Sequence, residues 1–147
     1  MKHIWTRYAD FAKDTPEFIE YMKGAQDINL FDPDVMTYPN TKVLAAYGQE
    51  GVKMFMPFQM TITLESLAPK PGLTEREEAL ALKELAQQVV FLAKANGIEE
   101  VYFLCSDDTV INFAEKHGFE RIPHTTMRLK LKTLEQPEKG DAVESEG

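Results

Sequence analysis

One stretch of sequence limits the fold more than any other: residues 60–105 read as a strand, a long helix and a second strand. Met60 to Leu67 is β-branched and alternating, with Thr61, Thr63 and Glu65 facing one way and Ile62 and Leu64 the other. Pro69, Lys70, Pro71 and Gly72 end it. The next segment, Thr74 to Ala95, is helical. Thr74 and Glu77 form a capping box, and Leu82, Leu85, Ala86, Val89 and Ala93 recur at helical spacing, with Val90 and Leu92 broadening the stripe. Asn96 and Gly97 close the helix as a left-handed cap. Val101 to Leu104 is an apolar strand, expected to be central and covered on both faces. A strand–helix–strand unit of this length is a parallel crossover, which makes the chain an α/β protein.

The remaining segments add to that unit. His3 to Tyr8 reads as a short strand. Thr15, Pro16 and Glu17 have the character of a helix start, with Phe18, Ile19 and Met22 as the apolar stripe and Gly24 as the stop. Asp27 to Asn40 reads as irregular. Lys42 to Tyr47 and Val52 to Phe58 form an antiparallel hairpin about a turn at Gly48 to Gly51, and Pro57 marks a bulge or an edge. Asp107 or Asp108 caps a last helix ending at Gly118, with Val110, Phe113, Ala114 and His117 on one face. Thr125 to Leu131 alternates as a final strand. The expected architecture is a mixed central sheet flanked by helices, in a single domain of residues 1–134.

Residues 135–147 hold five acids, one base and only two aliphatic side chains. They read as a flexible acidic tail that carries half of the chain's net charge of −8. That charge disfavours nucleic acid and an anionic membrane surface as partners. The apolar runs are too short to span a bilayer, and the first ten residues lack a signal-peptide core. Cys105 is the single cysteine, so there is no internal disulfide, and no Cys/His cluster marks a metal site. A reducing, cytoplasmic compartment is expected.

The segment Asp107 to Phe119 carries a resemblance. Phe113, Glu115, Lys116 and His117 lead into Gly118-Phe119, and the earlier Gly97-Ile98-Glu99-Glu100-Val101-Tyr102 reads as a helix exit into a strand. In this element order the chain resembles the GNAT superfamily of acyl-CoA-dependent N-acyltransferases. The resemblance implies transfer of an acetyl or other acyl group from acyl-CoA to a small-molecule or peptide amine. It also implies a groove between diverging fourth and fifth strands, and a homodimer formed through C-terminal strands. The cofactor implied is acetyl-CoA or CoA, with no metal. Its pyrophosphate would meet the loop holding Leu67, Ala68, Gly72, Leu73, Thr74 and Arg76.

The chain departs from the family at two places. Its phosphate loop has one glycine, two prolines without N–H groups, and Glu75, Glu77 and Glu78 on the helix end that would face an anion. Ala114 stands where many members carry a Tyr acid, and Asp107 where an Asn is frequent. These departures suit a second reading, a catalytically inactive GNAT-fold protein acting as a binding or protein-interaction module.

Glu65 is the candidate base, late in the fourth strand; the competing reading is a solvent-facing carboxylate. Cys105 and Ser106 end the fifth strand, where open α/β sheets bind ligands, although an inert buried thiol is the simpler role for Cys105. His117, His124 and His3 lack metal-ligand spacing. Met54 to Met60 reads as sheet core, with a pliable partner surface as the other reading.

Overall fold

The computed structural model describes residues 3–135. Its elements are β1 (Trp5–Tyr8), α1 (Phe11–Asn29), a 3-10 turn (Pro33–Thr37), β2 (Lys42–Gly48), β3 (Gly51–Phe58), β4 (Ile62–Leu64), α2 (Glu75–Ala95), β5 (Val101–Phe103), α3 (Asp108–Lys116) and α4 (Leu131–Glu135). The fold is mixed α/β. Of the expected tail, residues 135–147, Glu135 ends α4 and residues 136–147 lie outside the described residues.

The strands form two sheets instead of one. β1, β2 and β3 make an antiparallel sheet in that order, and β4 pairs with β5 in a separate parallel ladder. The crossover β4–α2–β5 is therefore present as expected, with Ile62, Thr63 and Leu64 opposite Val101, Tyr102 and Phe103. Only three residues separate β3 from β4, and no backbone pairing joins them. The chain leaves one sheet and enters the other within Gln59, Met60 and Thr61. β5 is not central: it has one strand neighbour, and all three of its residues are half-buried.

The hairpin β2–β3 turns through Gln49 and Glu50. Gly51 takes a φ of 115°, a conformation that glycine adopts without steric penalty. The bulge lies at Lys53, where the register shifts from Ala46↔Met54 to Tyr47↔Val52. Pro57 stays in register with Val43 on the edge strand, where its missing N–H breaks no inner ladder.

α1 begins earlier than its sequence suggests. Asp10 is the N-cap, its side chain accepting the Ala12 N–H, and Pro16 lies inside the helix. Gly24 is passed through as well, and the helix runs on to Asn29. Tertiary packing explains the override. Phe18, Tyr21 and Met22 pack against the buried cluster of Val43, Ala45, Tyr47 and Phe55. The Phe18 ring meets Phe55 edge-on at 5.1 Å, and Tyr21 lies 5.6 Å from the same ring. Ile19, expected on this stripe, is exposed.

Among the described residues no element covers the opposite face of the antiparallel sheet. Met54, Met56 and Met60 are 66%, 56% and 65% exposed, so the expectation that this run is core holds for Phe55 but not for the methionines. Strand alternation explains the split, since Met54, Met56 and Phe58 share the face turned away from α1.

α2 carries the expected capping box and Gly97 the left-handed conformation, at φ 68°. Of its apolar stripe, Ala93 is buried and Leu82, Ala86 and Val89 are half-buried, whereas Leu85, Val90 and Leu92 are exposed. α3 is capped by Asp107, which accepts from the N–H groups of Thr109 and Val110. Gly118, at φ 96°, turns the chain so that the Phe119 N–H reaches the Ala114 carbonyl at 3.0 Å and the Phe119 ring packs 5.9 Å from Phe103 of β5. The Gly-Phe pair thus docks α3 onto the parallel ladder. Thr125 to Leu131 does not form the expected strand: Met127 and Leu129 are 90% and 68% exposed, and Leu131 starts α4. Edges stay open at β1, β3, β4 and β5 among the described residues, so alternation alone does not carry this segment to a sheet.

Candidate functional site

The β4–β5 ladder ends in an open cleft. Its last backbone bond runs from the Leu104 N–H to the Leu64 carbonyl, 3.0 Å. Beyond it lies a depression of about 410 Å³ lined by Ser66, Phe103, Leu104, Cys105, Ser106 and Thr126. Three hydroxyls and a thiol border it, at the carboxyl ends of two parallel strands, which is where α/β sheets present ligand sites. Cys105 is half-buried, and its thiol makes a long 4.0 Å approach to the Phe103 carbonyl. Thr126, from the segment expected to be a strand, supplies one wall instead.

Glu65 lies just outside this cleft, exposed and one residue before Ser66. The other expected site residues, Leu67, Ala68, Gly72, Leu73, Thr74 and Arg76, form the connection into α2. Gly72 takes φ 87°. The N-terminus of α2 is engaged internally. The Glu77 carboxylate accepts the Thr74 N–H at 3.0 Å, the Thr74 hydroxyl accepts the Glu77 N–H at 3.1 Å, and the Glu78 N–H bonds the Thr74 carbonyl. Those bonds hold the Glu77 carboxyl below the ordinary range, the backbone N–H of Thr74 contributing most. An ionised carboxylate therefore occupies the positive end of the helix, and Pro69 and Pro71 add no donors. This end does not fit a second anion such as the pyrophosphate of CoA while the capping box is closed.

Two polar clusters were not apparent in the sequence. In the first, Glu100 joins the two sheets. Tyr38 donates to its Oε2 at 2.7 Å, while Tyr102 and Gln59 donate to its Oε1 at 2.7 and 3.0 Å. Burial raises the Glu100 carboxyl, but the three hydrogen bonds outweigh it and hold the group below its usual range. The phenols move the other way. Tyr38 is raised, first by its bond to Glu100, then by burial and by the charges of Glu100, Asp32 and Asp34. Burial, the bond to Glu100 and the charges of Glu100 and Asp32 push Tyr102 up to about 12. Both phenols are thus fixed donors at neutral pH.

Beside this cluster, Asn40 Nδ2 donates to the carbonyls of Met60 and Gly97, at 3.3 and 2.9 Å. The amide oxygens Asn40 Oδ1 and Gln59 Oε1 are buried without a partner. An orphaned buried acceptor costs about 1–3 kcal/mol.

In the second cluster, Asp14 of α1 is the one buried charged residue among those described, at 6% exposure. It accepts hydrogen bonds from the Tyr47 phenol and from the Asp10 N–H. Arg7 sits 3.8 Å from the same carboxylate and 3.9 Å over the Tyr47 ring.

His117 caps α3, exposed, with Nδ1 2.9 Å from the Phe113 carbonyl and its ring stacked 4.2 Å from Phe113. His124 approaches the Asn29 carbonyl at 3.2 Å. Among the described residues no group of three His, Cys, Asp or Glu side chains is placed to hold a metal, and no helix is long and apolar enough to cross a membrane.

No family model matches the chain, and no curated protein matches it. Among solved structures it is similar to an aminoglycoside acetyltransferase from an uncultured soil metagenomic sample. The trehalose complex of that protein shows 14% identity and a TM-score of 0.33, over 86% of this chain and 97% of that one. Its sisomicin complex shows 16% identity and a TM-score of 0.34 over the same shares.

Proposed function

We propose that this protein is a GNAT-like N-acyltransferase that moves an acyl group from a thioester to an amine, with the cleft beyond Leu64 and Leu104 as its reaction site. The observation that carries this reading is the parallel β4–β5 ladder, linked through α2, opening at its carboxyl end into that cleft. Ladder pairing stops at Leu104, so the N–H groups of Cys105 and Ser106 are available to a thioester carbonyl. Donors already aimed at a developing oxyanion stabilise it without reorganisation. The amine nitrogen forms a bond to the carbonyl carbon, the carbon–sulfur bond breaks, and the thiolate leaves with its electron pair. The amine loses one proton to Glu65, one residue from Ser66, acting through water; Asp107, one residue from Ser106, is engaged as the cap of α3. Ala114 has no proton to give, so the thiolate is protonated from solvent. Positioning then supplies most of the rate enhancement.

The closed capping box shapes the donor. Glu77 opposes phosphate at the start of α2, so recognition rests on the thioester end and not on the nucleotide. The test compares acetyl-CoA with the truncated thioester S-acetyl-N-acetylcysteamine, using a panel of primary amines as acceptors and free thiol release as the readout. Similar rates for both donors, lost in a Ser106→Pro variant that removes one cleft N–H, are the expected result. If neither thioester reacts and neither binds by calorimetry up to millimolar concentration, the reading fails, and the fold serves as a non-catalytic binding module.

A further inference from the structure

The seam between the two sheets has a chemical bias. The donors there are spent: Tyr38 Oη, Tyr102 Oη and Gln59 Nε2 on Glu100, and Asn40 Nδ2 on two backbone carbonyls. What remains is acceptors, namely Asn40 Oδ1 and Gln59 Oε1, both buried and unpartnered. Flipping either amide does not relieve this. A flipped Gln59 sets oxygen against the Glu100 carboxylate, and a flipped Asn40 sets oxygen against the carbonyls of Met60 and Gly97.

The charge has the same bias. Glu100 is held in its ionised form, and Asp32 adds its field to both Tyr38 and Tyr102, with Asp34 acting on Tyr38. Among the described residues no lysine or arginine pairs with Glu100, Asp32 or Asp34. A part-buried carboxylate without a counter-ion, beside two amide oxygens without donors, selects for a positively charged guest. The three side chains come from three segments, the loop into β2, the link from β3 to β4 and the loop into β5. Gln59 sits in the link from β3 to β4, Asn40 binds the carbonyl of the next residue, and Glu100 leads into β5.

We propose that this seam is a binding site for a small monovalent cation, an alkali metal ion or an ammonium group, held by Asn40 Oδ1, Gln59 Oε1 and the Glu100 carboxylate. The cation completes the contact between the sheets, so its binding stabilises the native chain. This inference does not depend on acyl transfer, because the reaction cleft lies at the other end of the β4–β5 ladder.

Thermal melting of the full chain tests it, in a buffer neutralised with tetramethylammonium hydroxide and at constant ionic strength. Sodium, potassium, ammonium and methylammonium chlorides are each titrated in place of tetramethylammonium chloride, which is too large for the seam and has no N–H donor. A guest that binds only the folded state raises Tm in a saturable way, by roughly 5–10 °C near 100 Kd. A rise with sodium or potassium identifies a metal ion; a rise confined to ammonium and methylammonium identifies an N–H donor. Coincident melting in all five salts overturns the proposal. Gln59→Leu removes one acceptor and is expected to abolish the specific rise, and a rise that survives it overturns the location. Should Gln59→Leu not fold, Glu100→Gln gives a second readout. Removing the negative charge raises the half-saturating concentration by roughly tenfold, and an unchanged value again overturns the location.

Discussion

The Tyr47 phenol on β2 donates to the buried carboxylate of Asp14 on α1, tying the helix to the sheet from within the core. The bond from Tyr47 is the largest influence on Asp14. It outweighs burial and, with the Asp10 N–H, Arg7 and Lys13, holds the carboxyl below its ordinary 3.8. Asp14→Ala leaves the phenol without its partner and is expected to lower stability by about 2–3 kcal/mol, with Tyr47→Phe at about 1–2 kcal/mol. A lowered folded-state value means the ionised form is favoured by folding. Its contribution is complete above the unfolded value near 3.8 and fades as pH falls through the folded one. The gap between wild type and Asp14→Asn in urea unfolding is therefore expected to be constant from neutral pH down to roughly pH 5 and to close in stronger acid.

The Glu100 network makes a prediction at the other end of the pH scale. A phenol raised by folding stabilises the chain in its neutral form. That contribution is complete below the unfolded value of 10.0 and is lost as pH rises through the folded one, about 12 for Tyr102. Glu100→Gln removes the charge opposing ionisation. In an ultraviolet tyrosinate titration, this variant is expected to bring Tyr38 and Tyr102 down toward the ordinary range. An unchanged titration curve would mean that the Glu100 contacts do not form in solution.

Local chemistry was legible in the sequence, and long-range chemistry was not. The capping box at Thr74, the left-handed Gly97, the β2–β3 hairpin and the cap at Asp107 all depend on residues within a few positions of one another. Gly24 and Pro16 misled because the packing of Phe18, Tyr21 and Met22 on Phe55 outweighs two weak helix formers. The strand pattern of Thr125 to Leu131 carries no signal of whether the chain brings it alongside one of the open sheet edges. Glu100 carries no sequence signal for a similar reason: its partners Tyr38 and Gln59 lie 62 and 41 residues away. Asp14 and Tyr47 are separated by 33. A lone acid or tyrosine has no periodicity to reveal such pairs.

The closed N-terminus of α2 sets stability against anion binding. Thr74→Ala removes the cap and is expected to destabilise the chain by about 1 kcal/mol in urea unfolding. Glu77→Gln keeps an acceptor for the Thr74 N–H but removes the negative charge from the helix end. Affinity for CoA is expected to rise by roughly two- to fivefold in this variant, while the truncated thioester is unaffected. Calorimetric titration of both ligands into both proteins checks it. Equal gains for the two ligands would place the effect in the cleft and not at the phosphates.

The two faces of β3 are expected to respond differently to substitution. Phe55 is 7% exposed and touches Phe18 and Tyr21, so Phe55→Ala opens a cavity under α1 and is expected to cost about 3–5 kcal/mol. Met54 and Met56, one residue to either side, are more than half exposed. Met54→Thr and Met56→Thr remove apolar surface that already meets water and add a β-branched side chain suited to a strand. Each is expected to change stability by no more than about 0.5 kcal/mol. Urea midpoints of the three variants measure the contrast directly. A loss of several kcal/mol for either methionine would mean that this face is covered in solution. Sedimentation at two protein concentrations would then separate a second copy, whose coverage depends on concentration, from a contact within the chain, whose coverage does not.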